Sequence, residues 1–182
     1  MNWSRIQYVQ ILHILPKMGK PTKQFFATVQ NKLHFAITGQ TAAEIIIERA
    51  KSTKLHMGLT SWRKGPTGKI LKSDISVAKN YLEKNELDHL NRIVTLYLDY
   101  AELQAVRNKP MYMKDWIEKL NAFLQFSEYE ILTNAGKVSH EVALSLASKE
   151  YESFKIMQDK NYISDFDKQD KQLKGKKDIT PI

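Results

Sequence analysis

The chain has 182 residues, 42% hydrophobic and 26% charged, the balance of a globular domain with a real core rather than of a disordered segment. It carries a formal charge of +8 and no cysteine, which excludes a disulfide framework, a thiol nucleophile and a thiolate metal site. No window approaches the roughly 18 apolar residues of a membrane span, and the apolar patch from Ile6 to Leu15 is broken by Gln7, Gln10 and His13. The expectations are therefore no membrane, no signal peptide and a cytoplasmic setting.

The first predicted helix starts near Thr22, after Pro21, and runs to Ile37, with Phe25, Phe26, Val29, Leu33 and Ile37 at three- and four-residue steps. Thr38-Gly39 ends it, and Thr41 with Glu44 forms a capping box for the next helix. The consecutive Ile45, Ile46 and Ile47 predict burial of that short helix on more than one side. Ser73 or Asp74 is placed to cap a further short helix carrying Ile75, Val77, Ala78, Tyr81 and Leu82.

The longest helix is expected from Asn85 to Arg107. One apolar stripe runs through Leu90, Val94, Tyr97 and Ala101, and a second beside it through Ile93, Leu96, Tyr100 and Leu103. Asn108 and Pro110 stop it. A helix over Met113 to Phe126 follows, then a turn at Asn134-Ala135-Gly136 and a last helix over Ser139 to Gln158. A short strand pair between Leu55 and Ile70 is compatible with the pattern, but no alternation is sustained. The fold class is all-α: a compact bundle of about five to seven helices around the long helix, with one Gly/Pro-rich basic loop. The domain division is an atypical segment over 1–20, a helical domain over 21–164 and a charged tail over 165–182 expected to be disordered.

The basic loop is the one stretch where the sequence stops specifying core. Between Arg49 and Lys72 stand seven basic residues (Arg49, Lys51, Lys54, Arg63, Lys64, Lys69 and Lys72), no acid, three glycines and a proline. That run holds +7 and the first twenty residues +3, so the rest of the chain is slightly acidic. Trp62 beside Arg63 and Lys64 joins a stacking ring to two cations, a combination that suits single strands or phosphate backbones. The plainer alternative is a tryptophan packing the loop on the core with solvated cations around it.

With the helices placed, the segments TKQFFATVQNKLHFAITGQTAAEII, MGLTSWRKGPTGKILKSDISVAKNYL, LNRIVTLYLDYAELQA and LTNAGKVSHEVA resemble the C-terminal region of the RhuM virulence-protein family of bacteria. The resemblance runs from Thr22 to about Asp167. It implies a virulence- or phage-related context but no established biochemistry. Family members usually carry an N-terminal half resembling phage-type DNA-binding and antirepressor modules, which has no counterpart in this sequence; the first twenty residues depart from the family pattern and are compatible with a truncated or frameshifted gene. The His-Pro-Phe and Gly-Asn-Gly-Arg elements of the Fic/Doc-type domains fused to some relatives are also missing.

Other candidate chemistry is thinner. Gly65-Pro66-Thr67-Gly68-Lys69 has two residues between its glycines where a phosphate loop needs four, and Ile70 where it needs a hydroxyl. His140-Glu141 opens like a zinc-protease motif, but Leu144 stands where the second histidine belongs, so no metal and no cofactor is expected. His34 is expected at the edge of the first helix's apolar face as a hydrogen-bonded near-core residue. Asp88, Arg92, Thr95, Asp99 and Glu102 share a stripe of the long helix. Asp99 and Glu102 are the only paired carboxylates offered for acid/base work, against the simpler reading of a solvent face with an Asp88–Arg92 pair.

Three functions follow. The leading one is a non-enzymatic accessory or regulatory domain that binds nucleic acid or phosphate through Trp62, Arg63, Lys64, Lys69 and Lys72. The second is a protein-interaction or homo-oligomerisation domain, which an exposed apolar patch would favour. The third is an enzyme using Asp99 and Glu102, which needs a closed pocket around them.

Overall fold

The computed structural model describes residues 20–161. The atypical first segment and the charged tail lie almost wholly outside them. Five α-helices and no strand are found among the described residues. They are α1 (Lys20–Thr38), α2 (Ala42–Arg49), α3 (Lys84–Val106), α4 (Met113–Phe126) and α5 (His140–Asn161).

The short α2 is the most enclosed. Ile45 and Ile46 are fully buried between α1, α5 and a turn at Ala78–Tyr81. Its start is tied from three sides: Glu44 accepts the Thr41 N–H at 2.7 Å and the Lys137 N–H at 2.7 Å, and Asn31 accepts the Ala42 N–H at 3.1 Å. Its end is held by Arg49, whose guanidinium forks onto Glu86 at 2.5 and 2.7 Å and donates to the Tyr81 carbonyl. Arg49 is thus an internal tie and not part of the loop's charged surface.

Helix α3 is the longest element and packs on α1 through Leu90, Ile93 and Val94. Tyr97 continues that face, donating to the Trp116 carbonyl of α4 at 2.5 Å and meeting the Trp116 ring edge-on. The second apolar stripe is only half used: Leu96 is 54% and Leu103 44% exposed.

Two sequence expectations need correction. The helix expected over 73–82 is two separate 3-10 turns, Asp74–Ser76 and Ala78–Tyr81, because Val77 between them is extended. The polar side chains there satisfy the backbone locally instead: Ser76 bonds the Ser73 carbonyl and Asn80 the Asp74 carbonyl, the competition that disfavours helix. The strand pair between Leu55 and Ile70 is absent. His56, Met57 and Gly58 are all left-handed, with φ of 51°, 58° and 81°, which no strand tolerates. A Cβ at Gly58 would meet the Arg49 carbonyl oxygen at 2.1 Å, so glycine is required where the chain doubles back beneath α2.

Candidate nucleic-acid interface

The basic loop is docked along α5 rather than projecting freely. Both polar groups of Ile70 are taken by α5: Gln158 accepts its N–H at 2.8 Å, while Gln158 and Tyr151 both donate to its carbonyl at 3.2 Å. Glu150 accepts the Ser52 N–H at 2.6 Å, and hydrogen bonds from the Ser52 side chain and backbone hold its carboxyl below the ordinary range. Buried Asp74 closes the loop from within, accepting the N–H groups of Leu71 at 2.8 Å and Arg63 at 3.3 Å.

Trp62 holds the loop's shape. Its indole N–H donates to the Gly68 carbonyl at 2.7 Å, and its ring lies 4.6 Å from the His56 ring. Gly65 sits against the same ring, where a Cβ would approach to 3.2 Å. The amides of Gly65 and Gly68 are spent on the carbonyls of Trp62 and Lys64, so they are not arranged to wrap a phosphate as a phosphate-binding loop would. Trp62 is half-buried: it packs the loop, as the plainer reading expects, and it also lines a groove.

That groove, about 530 Å³, separates the loop from the last turns of α5. Trp62, His56 and Phe154 give it aromatic walls, Lys54 and Lys69 line it, and no carboxylate does among the described residues. Arg63 and Lys64 are exposed at the adjoining turn, as is Lys51. The remaining two candidates are engaged. Lys69 pairs with Asp159 at 2.7 Å and Lys72 with Glu152 at 3.7 Å, and the Lys69 hydrogen bond holds the Asp159 carboxyl below its usual range. The cation set is therefore graded, with Arg63 and Lys64 more available than Lys69 and Lys72.

The carboxylate pair considered for catalysis lies elsewhere. Asp99 and Glu102 are exposed on the outer face of α3 with Asp88, Arg92 and Thr95, and neither lines the groove or the second cavity described below. Asp88 and Arg92 form no ion pair among the described residues. Among the described residues no cluster of His, Asp or Glu is arranged to hold a metal, and no helix is long and apolar enough to cross a membrane.

Sequence reasoning missed two features of this region. His56 drew no role from the sequence, yet its ring lies tilted at 49° against Trp62; Gly58, two residues on, is the available clue to a reversal there. The docking of the loop by α5 joins residues some 80 to 100 positions apart, which no local pattern encodes.

No curated protein and no solved structure matches this chain. The model of the virulence protein RhuM family matches residues 15–163, reaching further towards the N-terminus than the segments that carried the sequence resemblance. The groove, the loop and all of α1 to α5 fall inside that match. The chain belongs to the virulence protein RhuM family.

Proposed function

We propose that this chain is a non-enzymatic accessory domain that binds nucleic acid through phosphate contacts at the basic loop, in the service of a virulence-associated regulator. The observation that carries the reading is the groove between the loop and α5, where aromatic walls and cations occur together without a lining carboxylate. Aromatic faces with a basic rim are the arrangement that holds single strands without sequence preference. Arg63 and Lys64 make the principal phosphate contacts; Lys69 and Lys72 contribute less because a phosphate must first compete with Asp159 and Glu152. Trp62 acts mainly by shaping the groove and presents its edge to a base.

Fluorescence anisotropy with labelled single-stranded and duplex oligonucleotides tests this at low salt. Arg63→Ala with Lys64→Ala should weaken every sequence alike, since phosphate contacts carry no sequence information. Lys69→Ala with Lys72→Ala should weaken binding by a smaller factor. Equal losses for the two pairs would contradict the graded set.

A second reading, protein interaction, is favoured by one observation. Leu96, Leu103 and Val106 are exposed along the C-terminal half of α3, beside Tyr100, and such surfaces commonly mark contact sites. Self-association through this strip predicts a concentration-dependent sedimentation coefficient that Leu96→Lys with Leu103→Lys abolishes. A monomer at every concentration would contradict self-association.

A further inference from the structure

A second cavity, about 440 Å³, opens between α1, the start of α2, the turn at residues 76–79 and the start of α5. It shares no lining residue with the loop groove. Its volume is that of an ordinary small-molecule site.

Three features point to its occupant. The first is His34, which lines the cavity at 8% exposure. Its buried Nδ1 has no hydrogen-bond partner among the described residues, although the sequence predicts a satisfied histidine there. A buried polar atom without a partner carries its full desolvation penalty, so native structures keep few, each with a reason. The second is the start of α5, a helix of 22 residues: Ser139 and His140 both line the cavity. A long helix directs partial positive charge from its first turn. The start of α2 is tied by Glu44 and Asn31. At the start of α5, Ser139 Oγ accepts the Val142 N–H at 3.3 Å and the exposed Glu141 carboxylate bonds its own N–H and the Ser139 side chain, so an anion there must displace Glu141. The third is the lining chemistry: Ile46, Leu90 and Val138 supply apolar surface, Lys79 and His140 supply basic groups, and no carboxylate lines the cavity among the described residues.

We propose that this cavity binds a small organic anion, with its carboxylate or phosphate head at the start of α5 and its apolar body against Ile46 and Leu90, hydrogen-bonded by His34. Burial, with the positive charges of Lys79 and Arg49, keeps the imidazole uncharged at neutral pH despite the opposing Glu86, so it offers one donor and one acceptor rather than a charge. The charge is met by the helix start, and the neutral imidazole N–H donates to an oxygen of the head. The site stands apart from the nucleic-acid reading and survives its failure.

The test uses the full chain labelled with nitrogen-15, titrated separately with benzoate, phenyl phosphate, inorganic phosphate and benzyl alcohol. Benzoate or phenyl phosphate should shift the His34 ring and the Ser139 and Glu141 amides saturably while Arg63 and Lys64 stay still. The tighter of the two identifies the head group. Inorganic phosphate lacks the body and benzyl alcohol the charge, so each should bind about tenfold more weakly or worse. His34→Gln should weaken the anion about three- to tenfold, the effect of one hydrogen bond. Ala135→Trp, at an exposed rim position, should block the cavity without disturbing the core. No saturable shift with either anion at concentrations on the order of 10 mM would overturn the proposal. So would benzyl alcohol binding as tightly as benzoate, or unchanged binding in Ala135→Trp.

Discussion

His34 shows how a single residue couples burial to pH. Removal from water, reinforced by Lys79 and Arg49 and opposed by Glu86, lowers its pKa from 6.5 to about 4. The unfolded chain takes up a proton at about 6.5, whereas the folded chain resists until about 4. Between those values the unfolded state holds more protons, so stability falls as pH falls through that window and is fully present above it. The shift corresponds to about 3 kcal/mol lost by pH 4. Glu44 and Glu86 are held below their ordinary range by hydrogen bonds that outweigh burial at Glu44 and by the Arg49 fork at Glu86, so their losses come at lower pH. Denaturant unfolding from pH 7 to pH 4 should show a steep decline in the parent and a shallower one in His34→Gln. The same slope in both would contradict the burial of a neutral imidazole.

At the scale of elements, α3 separates what sequence shows from what it hides. Leu90, Ile93 and Val94 are buried and Tyr97 is partly so, and Val94→Asp should cost about 4 kcal/mol or more by placing an unpaired carboxylate in the core. Leu96→Asp, half-exposed beside it, should change stability by only about 0.5 kcal/mol. Thermal melts followed by circular dichroism compare them; similar melting temperatures would refute the assignment of faces. Helix positions were legible because periodicity and end signals agree: Thr41 with Glu44 marks the start of α2, and the apolar spacing over Met113–Phe126 matches α4. The stretch over 73–82 was not legible as turns, because Ile75, Tyr81 and Leu82 mimic a helix face while Val77 breaks it. The candidate site was legible as composition only. That Lys69 and Lys72 reach carboxylates on α5, that Trp62 donates to Gly68, and that Arg49 is internal are tertiary facts.

For the whole molecule, charge placement is what the proposed nucleic-acid binding rests on. The loop's positive run is partly offset by Glu150, Glu152 and Asp159 of α5; of its exposed cations Lys72 pairs with Glu152, whereas Lys51, Lys54, Arg63 and Lys64 form no salt bridge among the described residues. A nucleic acid bound there displaces counterions, so its affinity must depend steeply on salt. The most direct measurement is the anisotropy of a labelled single-stranded oligonucleotide titrated with the chain over a series of salt concentrations. The account predicts log-log slopes near −0.7 per phosphate contact, with Arg63→Ala and Lys64→Ala together removing about two contacts' worth. No binding to any oligonucleotide at low salt, or a slope unchanged in the double variant, would contradict it.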